Sequence, residues 1–214
     1  HGISAPTTSY HSYSSRGKAE QLLRALADGK RVALISDAGL PGISDPGTAL
    51  IQAAIAQGIA VEVIPGPSAS LMALVLSGFP TDRFTFEGFL PVKSGPRRKR
   101  LETLRDEPRT IIVYESPHRL LKALAAIEEV LGDIPMSCSR ELTKRFEETQ
   151  RGPVSDIRAH FMQHPPRGEF VLVLPPARLR ASGRGRPARP GSSVGRAGER
   201  AQRVEGRSES NNGE

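Results

Sequence analysis

The feature that most constrains the fold is a short apolar run, followed by a loop rich in glycine and proline and then by a helix-type segment, which occurs twice. The run RVALI (31–35) leads into SDAGLPGISDPG (36–47), and IAVEVI (59–64) leads into a second loop that begins with PGPS. The segments 48–58 and 68–78 have apolar residues at helical spacing, as does 17–28 before them. Strands that alternate with helices form parallel sheets covered by helices. The pattern predicts an α/β fold with a parallel sheet in the first half.

The second half of the chain alternates in a different order. Predicted strands lie at 84–90, 110–116, 136–142, 144–152 and 169–175, with predicted helices at 96–106, 118–132 and 154–163. Because two of these strands follow each other without a helix between them, a mixed sheet is expected. Pro80 and Asp82 mark a connection. We therefore predict two α/β domains, residues 1–80 and 81–176.

The positive charge of the chain is concentrated at its C-terminal end. The segment 177–214 carries nine arginines against four acids, or +5, out of a net charge of +7 for the chain. It is rich in Gly, Ser, Arg and Pro and has almost no large apolar residues, so it is predicted to be a disordered basic tail. Its arginines are interpreted either as a nucleic-acid-binding arm or, with somewhat more weight, as a solvated appendage.

Cysteine and histidine usage narrows the class of protein. The single cysteine, Cys138, excludes an internal disulfide, and no apolar run is long enough to span a membrane. A cytoplasmic protein is expected. The five histidines are scattered without metal-ligand spacing, so no metal site is predicted.

The first glycine-rich loop has the position of a ligand site, because ligands bind beyond the carboxyl ends of parallel strands. Glycine permits positive φ and close approach of a ligand to the backbone, and proline makes the turn rigid. Neither a Walker A motif nor G-x-G-x-x-G is present, so phosphate binding has little support. From spacing alone, Gly39, Gly42 and Gly47 equally fit a purely structural turn, and Asp45 fits a helix cap better than a ligand contact.

Six segments along the chain together resemble the motifs of a known protein family. SDAGLPGISDPG, IPGPSA, TDRFTFEGFLP, YESPHRL, RELTKRFEE and GEFVLVL resemble, in order and spacing, motifs of the tetrapyrrole-methylase-like family of S-adenosyl-L-methionine (AdoMet) methyltransferases, in particular its ribosomal RNA methyltransferases. The resemblance covers residues 10–175. It implies a homodimer that binds AdoMet between its two domains and methylates the ribose 2′-hydroxyl of a cytidine in 16S rRNA of the small ribosomal subunit.

The resemblance also implies an AdoMet site. The cofactor residues carried over are Asp37, Ala38, Gly39, Leu40, Gly66, Ser68, Ala69 and Tyr114. A general base would assist methyl transfer, and the carboxylates near predicted strand ends are the candidates for it: Asp37, Glu87 and Glu115.

RNA contact is predicted from the basic run KSGPRRKR (93–100) and from ESPHRL. The candidate residues are Lys93, Arg97, Arg98, Lys99, Arg100 and Arg119. Cationic side chains neutralise backbone phosphates. The competing interpretation is a solvated helix start.

Two other interpretations stay open. One is a small-molecule methyltransferase of the same fold, acting on tetrapyrroles. The other follows from the family's opening motifs, resembling ATPIGN and AEDTR, which are not found in this sequence. On that pattern we expect a chain that is truncated at its N-terminus and lacks one wall of the cleft. Such a chain would be a fragment that retains only a dimer or RNA-binding surface.

Overall fold

The computed structural model describes residues 2, 4–11 and 16–180, and the predicted tail beyond residue 180 lies outside them. The helices are α1 (Arg16–Ala27), α2 (Thr48–Ala56), α3 (Ala69–Ser77), α4 (Ser94–Thr103), α5 (Leu120–Leu131), α6 (Val154–Gln163) and α7 (Ala177–Arg180). The strands are β1 (Phe84–Phe89), β2 (Thr110–Glu115), β3 (Pro135–Arg140), β4 (Glu148–Pro153) and β5 (Phe170–Leu174). No helix in the described part is long and apolar enough to cross a membrane.

The five strands form one mixed sheet in the order β1-β2-β5-β3-β4. β1 and β2 are parallel, and the other neighbouring strands are antiparallel. The register between β1 and β2 shifts after Phe86, where Gly88 has a φ of 62°. The α/β class and the mixed sheet of the second half are confirmed.

The two faces of the sheet are covered by different helices. Side chains alternate along a strand. Ile111 and Val113 of β2 therefore face the larger core with α4, α5 and α6, while Ile112 faces Ala73 and Leu74 of α3. The apolar residues of α5 recur at helical spacing and are buried on that larger core: Leu120, Ala123, Leu124, Ile127 and Val130. A helix of the first half of the chain thus closes one face of the sheet formed by the second half.

The two strands predicted in the first half are wrong for the described residues. Residues 31–35 and 59–64 have no strand assignment and join no sheet. Several of their apolar side chains are exposed, among them Ile35, Val63 and Ile64. A buried parallel strand needs hydrogen-bonded neighbours and helices over its faces, and two short strands by themselves are at best marginally stable. Neither condition is met within the described chain.

Two boundaries also differ from the prediction. The predicted strand 144–152 begins only at Glu148, because residues 141–147 form a loop. The predicted disordered tail begins with an ordered turn, since 177–180 form α7, where Arg180 donates hydrogen bonds to the carbonyl oxygens of Pro175, Leu104 and Arg105. Burial lowers the pKa of the Arg180 guanidinium. These three carbonyl contacts hold the turn on the fold.

Candidate functional site

A cavity of about 330 Å³ lies where the two glycine-rich loops meet the ends of β2, β3 and β5. Its size is within the range of small-molecule sites. The residues that line it are Ala38, Gly39, Leu40, Ile43, Ser44, Asp45, Pro67, Ser68, Ala69, Met72, Phe89, Tyr114, Glu115, Ser116, Pro117, Glu141, Leu142, Thr143, Lys144, Glu169, Phe170 and Val171.

The first wall is the loop 36–47, which is held in shape by its own polar side chains. The Ser36 hydroxyl donates to the Asp45 carboxylate, and the Thr48 hydroxyl donates to the carbonyl of Gly42 at 3.2 Å. Gly39 has a φ of 73°, and a Cβ placed on it would lie 3.7 Å from the Pro67 carbonyl oxygen. The two loops therefore approach each other closely at Gly39.

The second wall is aromatic and comes from the parallel strand pair. The Tyr114 ring packs edge-to-face against Phe86 and Phe89, with ring centroids 4.8 Å and 5.8 Å apart. Such pairs fix ring orientation. Half of Phe89 remains exposed (50%). A bound group would therefore find an apolar surface on this side.

The third wall is the loop 141–147, here called the rim loop. Lys144 pairs with the Glu141 carboxylate at 3.0 Å, and the backbone N–H of Glu169 donates to the same carboxylate at 3.2 Å. The hydrogen bond from Lys144 is the main reason that the pKa of Glu141 is lowered. The sequence interpretation assigned the segment RELTKRFEE to two strands and did not place these residues at the site. Glu141 and Thr143 both have positive φ. Because neither is a glycine, the sequence carries no signal of this backbone conformation.

Most of the predicted cofactor residues lie at this cavity. Ala38, Gly39, Leu40, Ser68, Ala69 and Tyr114 line it. Asp37 adjoins Ala38, and Gly66 adjoins the lining residue Pro67, without lining the cavity themselves. The structure thus brings together the segments that the sequence interpretation joined.

The three candidate bases have different surroundings. The Glu115 carboxylate is fully buried on the face of β2 opposite Tyr114, where it pairs with Arg119 at 3.2 Å and accepts the Ser116 N–H at 2.9 Å. Burial raises its pKa. The Glu87 carboxylate, also buried, accepts hydrogen bonds from Arg100 and lies outside the cavity lining.

Asp37 differs from both of these residues. It is exposed and adjoins Ala38, which lines the cavity. In the part of the chain that the structure describes, its carboxylate has no hydrogen-bond or ion-pair partner. Of the three candidates, it is the one whose side chain is exposed to solvent.

The basic run divides into buried, paired and unpaired cations. Arg97 is 6% exposed and donates to the Val92 carbonyl, and Arg119 donates to the Leu90 carbonyl while pairing with Glu115. The guanidinium groups of these two arginines are thus engaged within the protein, and RNA contact by them stays a prediction.

The other four predicted RNA residues remain on the surface. Arg98 pairs with Glu102 and Glu129, and Arg100 pairs with Glu87. Lys93 and Lys99 are exposed and form no ion pair among the described residues. Within the same part of the chain, no group of His, Cys, Asp and Glu side chains is arranged to hold a metal ion.

The chain is similar to known proteins in its family, its sequence and its fold. The model of the tetrapyrrole (corrin/porphyrin) methylases matches residues 4–158. The chain is 46% identical over 173 residues to ribosomal RNA small subunit methyltransferase I of Synechocystis sp., covering 80% of this chain and 62% of that protein. It is 44% identical over 172 residues to the protein of the same name from Thermotoga maritima, covering 80% and 77%. The chain therefore spans somewhat less than two thirds of the Synechocystis relative.

Among solved structures, the fold is similar to uroporphyrin-III C-methyltransferase from Thermus thermophilus, complexed with S-adenyl homocysteine. The TM-score is 0.50 at 18% identity, covering 77% of this chain and 74% of that one. This likeness concerns the fold.

Proposed function

Because the chain belongs to the tetrapyrrole (corrin/porphyrin) methylase family, and within it to the ribosomal RNA small subunit methyltransferase I group, we propose that it acts in AdoMet-dependent methylation of rRNA. The specific reaction proposed is 2′-O-methylation of a cytidine ribose in 16S rRNA. The observation that carries the proposal is the cavity at which all the resembling loops converge.

The chemistry of the cavity suits AdoMet, which has a positive sulfonium and ammonium, a carboxylate and an adenine ring. Besides Glu115, three acidic residues line the cavity, namely Asp45, Glu141 and Glu169, and the lining residue Lys144 pairs with the last two. Opposite charges attract most strongly where water is partly excluded. Leu40, Met72 and the aromatic wall offer apolar surface. The S-adenyl homocysteine held by the Thermus thermophilus protein supports the same class of cofactor here.

Methyl transfer to a ribose hydroxyl is an in-line displacement: an O–C bond forms, the C–S bond breaks, and the hydroxyl proton leaves. Most of the acceleration in such a reaction comes from holding the hydroxyl against the methyl group. We propose Asp37 as the carboxylate that accepts the proton, because its side chain is exposed next to the lining residue Ala38 and has no partner among the described residues. Glu115 is assigned a positioning role, since its carboxylate holds Arg119 against the Leu90 carbonyl beside Phe89.

The proposed partner is 16S rRNA within the small ribosomal subunit, with the protein acting in the cytoplasm as a homodimer. Lys93 and Lys99 are the proposed phosphate contacts, and Arg98 and Arg100 join them from helix α4. The names of the Synechocystis and Thermotoga relatives support rRNA as the substrate.

The test is transfer of a tritiated methyl group from AdoMet to 30S subunits, together with calorimetric titration of AdoMet. Asp37→Asn is expected to lower kcat by roughly 100-fold, the usual size of a general-base contribution, with unchanged AdoMet affinity. Asp82→Asn, an exposed aspartate outside the cavity lining, is the matched control and keeps full activity.

Two results would contradict parts of this proposal. Weaker AdoMet binding by the Asp37→Asn variant at unchanged kcat would make Asp37 a cofactor contact in place of a base. Methyl transfer to a porphyrinogen, with none to 30S subunits, would replace the rRNA substrate by a tetrapyrrole.

A further inference from the structure

The rim loop presents an aromatic side chain to solvent directly beside the cavity. Glu141, Leu142, Thr143 and Lys144 line the cavity, whereas Phe146 points away from the core and is 68% exposed. That is the highest exposure among the seven phenylalanines of the chain. Phe89 is next at 50%, and Phe84 follows at 40%. A phenylalanine this exposed has lost most of the burial that normally stabilises it.

The backbone holds this exposed position with specific contacts. Glu141 and Thr143 have φ values of 50° and 68°, which residues other than glycine seldom adopt because the conformation is strained. The Thr143 N–H donates to the Glu147 carboxylate at 2.7 Å, and Lys144 bridges Glu141 and Glu169 at 3.0 Å and 3.6 Å. The loop is therefore shaped by interactions that compensate its backbone strain.

The acidic side chains of the rim loop are bonded within the protein, whereas one of its cations has no ion-pair partner in the described chain. The acids are used within the protein: Glu141 by Lys144 and Glu147 by the Thr143 amide. Arg145 forms no ion pair among the described residues, and its guanidinium carbon lies 5.5 Å from the centre of the Phe146 ring. The outer surface of the loop thus consists of a cation next to an aromatic ring.

We propose that Arg145 and Phe146 form a stacking platform for an unpaired base of the RNA substrate. This inference rests on the proposed function and adds a specific substrate contact to it. Bases of single-stranded RNA stack on aromatic rings and on arginine guanidinium planes. A nucleotide whose ribose enters the cavity has to leave its base stack, and a surface at the rim that receives a neighbouring base would compensate for the stacking lost.

A binding experiment tests the contact itself. The chain contains no tryptophan, so Phe146→Trp introduces a single indole at the platform. Titration with a short single-stranded RNA oligonucleotide is expected to quench its fluorescence, and an abasic oligonucleotide with the same phosphates is expected to leave the emission unchanged. Met162→Trp, at an exposed apolar position on α6, is the matched control and is not quenched by either probe. Equal quenching by the abasic oligonucleotide would overturn the stacking.

A kinetic experiment tests the use of the platform. Phe146→Ala is expected to raise KM for 30S subunits by roughly 5- to 100-fold, corresponding to the loss of one stacked base, with unchanged AdoMet affinity. Phe146→Trp is expected to retain the wild-type KM, and Met162→Ala serves as the control. An unchanged KM for Phe146→Ala would overturn the proposal.

Two outcomes distinguish the stacking platform from the proposed methyl transfer and from a protein interface. If wild-type protein transfers no methyl group to 30S subunits, the proposed function fails, while base-dependent quenching of the Phe146→Trp variant still supports the platform. If Phe146→Ala instead dissociates a homodimer in sedimentation velocity, Phe146 belongs to a protein interface and the RNA platform is overturned.

Discussion

At the residue scale, the fold places carboxylates in surroundings that decide their charge. Glu148 opens β4 and is partly buried, which by itself would raise its pKa. The hydrogen bond from Gln150 at 2.6 Å and the charges of Arg140 and His160 outweigh that effect, so the pKa of Glu148 is lowered. The ionised form of Glu148 is therefore bound more favourably in the folded protein than in the unfolded chain.

The substitution Glu148→Gln tests the lowered pKa of Glu148 through the pH dependence of stability. A lowered folded pKa contributes stability above the ordinary value of 4.5, and that contribution is lost as the pH falls through the folded pKa. At pH 7 the variant is expected to lose about 1.5 kcal/mol of unfolding free energy, the lower end of the range for a hydrogen bond to a charged group. The difference from wild type should shrink toward acid pH in urea denaturation curves. Glu62→Gln, an exposed control, is expected to change little at any pH; a pH-independent difference for Glu148→Gln would contradict the assignment.

At the element scale, the loop 36–47 depends on one glycine to enter α2. Gly47 is buried and has φ 134° and ψ −30°, a conformation that side chains disfavour. A Cβ added there would lie 2.4 Å from Cδ2 of Leu34, so the Leu34 side chain would have to move. The glycine thus joins the cavity wall to the start of the helix.

Gly47→Ala is accordingly expected to lower the unfolding free energy by about 1–3 kcal/mol through backbone strain. Gly66→Ala is the matched control in the second loop, because Gly66 has no positive φ and an added Cβ there would meet nothing within 4 Å. Its stability should stay within about 0.5 kcal/mol of wild type. Thermal and urea unfolding of both variants provide the measurement, and equal losses would show that the difference in φ between Gly47 and Gly66 is not decisive.

At the scale of the whole molecule, the fold selects which of the many cations can meet a polyanion. Arg97 and Arg119 are turned inward, whereas Lys93 and Lys99 stay exposed and unpaired among the described residues. The charge available to RNA is therefore smaller than the basic run suggests. The division into domains at residue 81 stays a prediction, although α3 packs on the sheet of the second half and Arg151 donates to the Leu76 carbonyl at 2.7 Å.

The salt dependence of RNA binding tests this selection. Lys93→Ala and Lys99→Ala are each expected to reduce the slope of log affinity against log salt by about 1, as for the loss of one phosphate contact. Lys30→Ala, an exposed lysine outside the basic run, is the control with an unchanged slope. Filter binding of a single-stranded 16S rRNA fragment at several salt concentrations gives the slopes. A slope unchanged in both lysine variants would remove α4 from the RNA surface.

Elements that depend on neighbouring residues could be predicted from the sequence. The helical periodicity of 120–131, the apolar strands of the second half and the glycine-rich loops are local patterns, and each was predicted close to its place. The motifs also led correctly to the family, since order and spacing are properties of the chain alone.

Features that depend on distant residues became visible only in the folded chain. The segments 31–35 and 59–64 read as strands, yet a strand needs a hydrogen-bonded neighbour, and within the described residues they have none. Arg119 reads as an RNA contact, yet it meets the Leu90 carbonyl, 29 positions away in the chain. The shape of the rim loop likewise depends on Glu169, which pairs with Lys144 from the approach to β5. Local patterns specify which elements a segment favours, whereas pairing and burial are set by partners that only folding brings together.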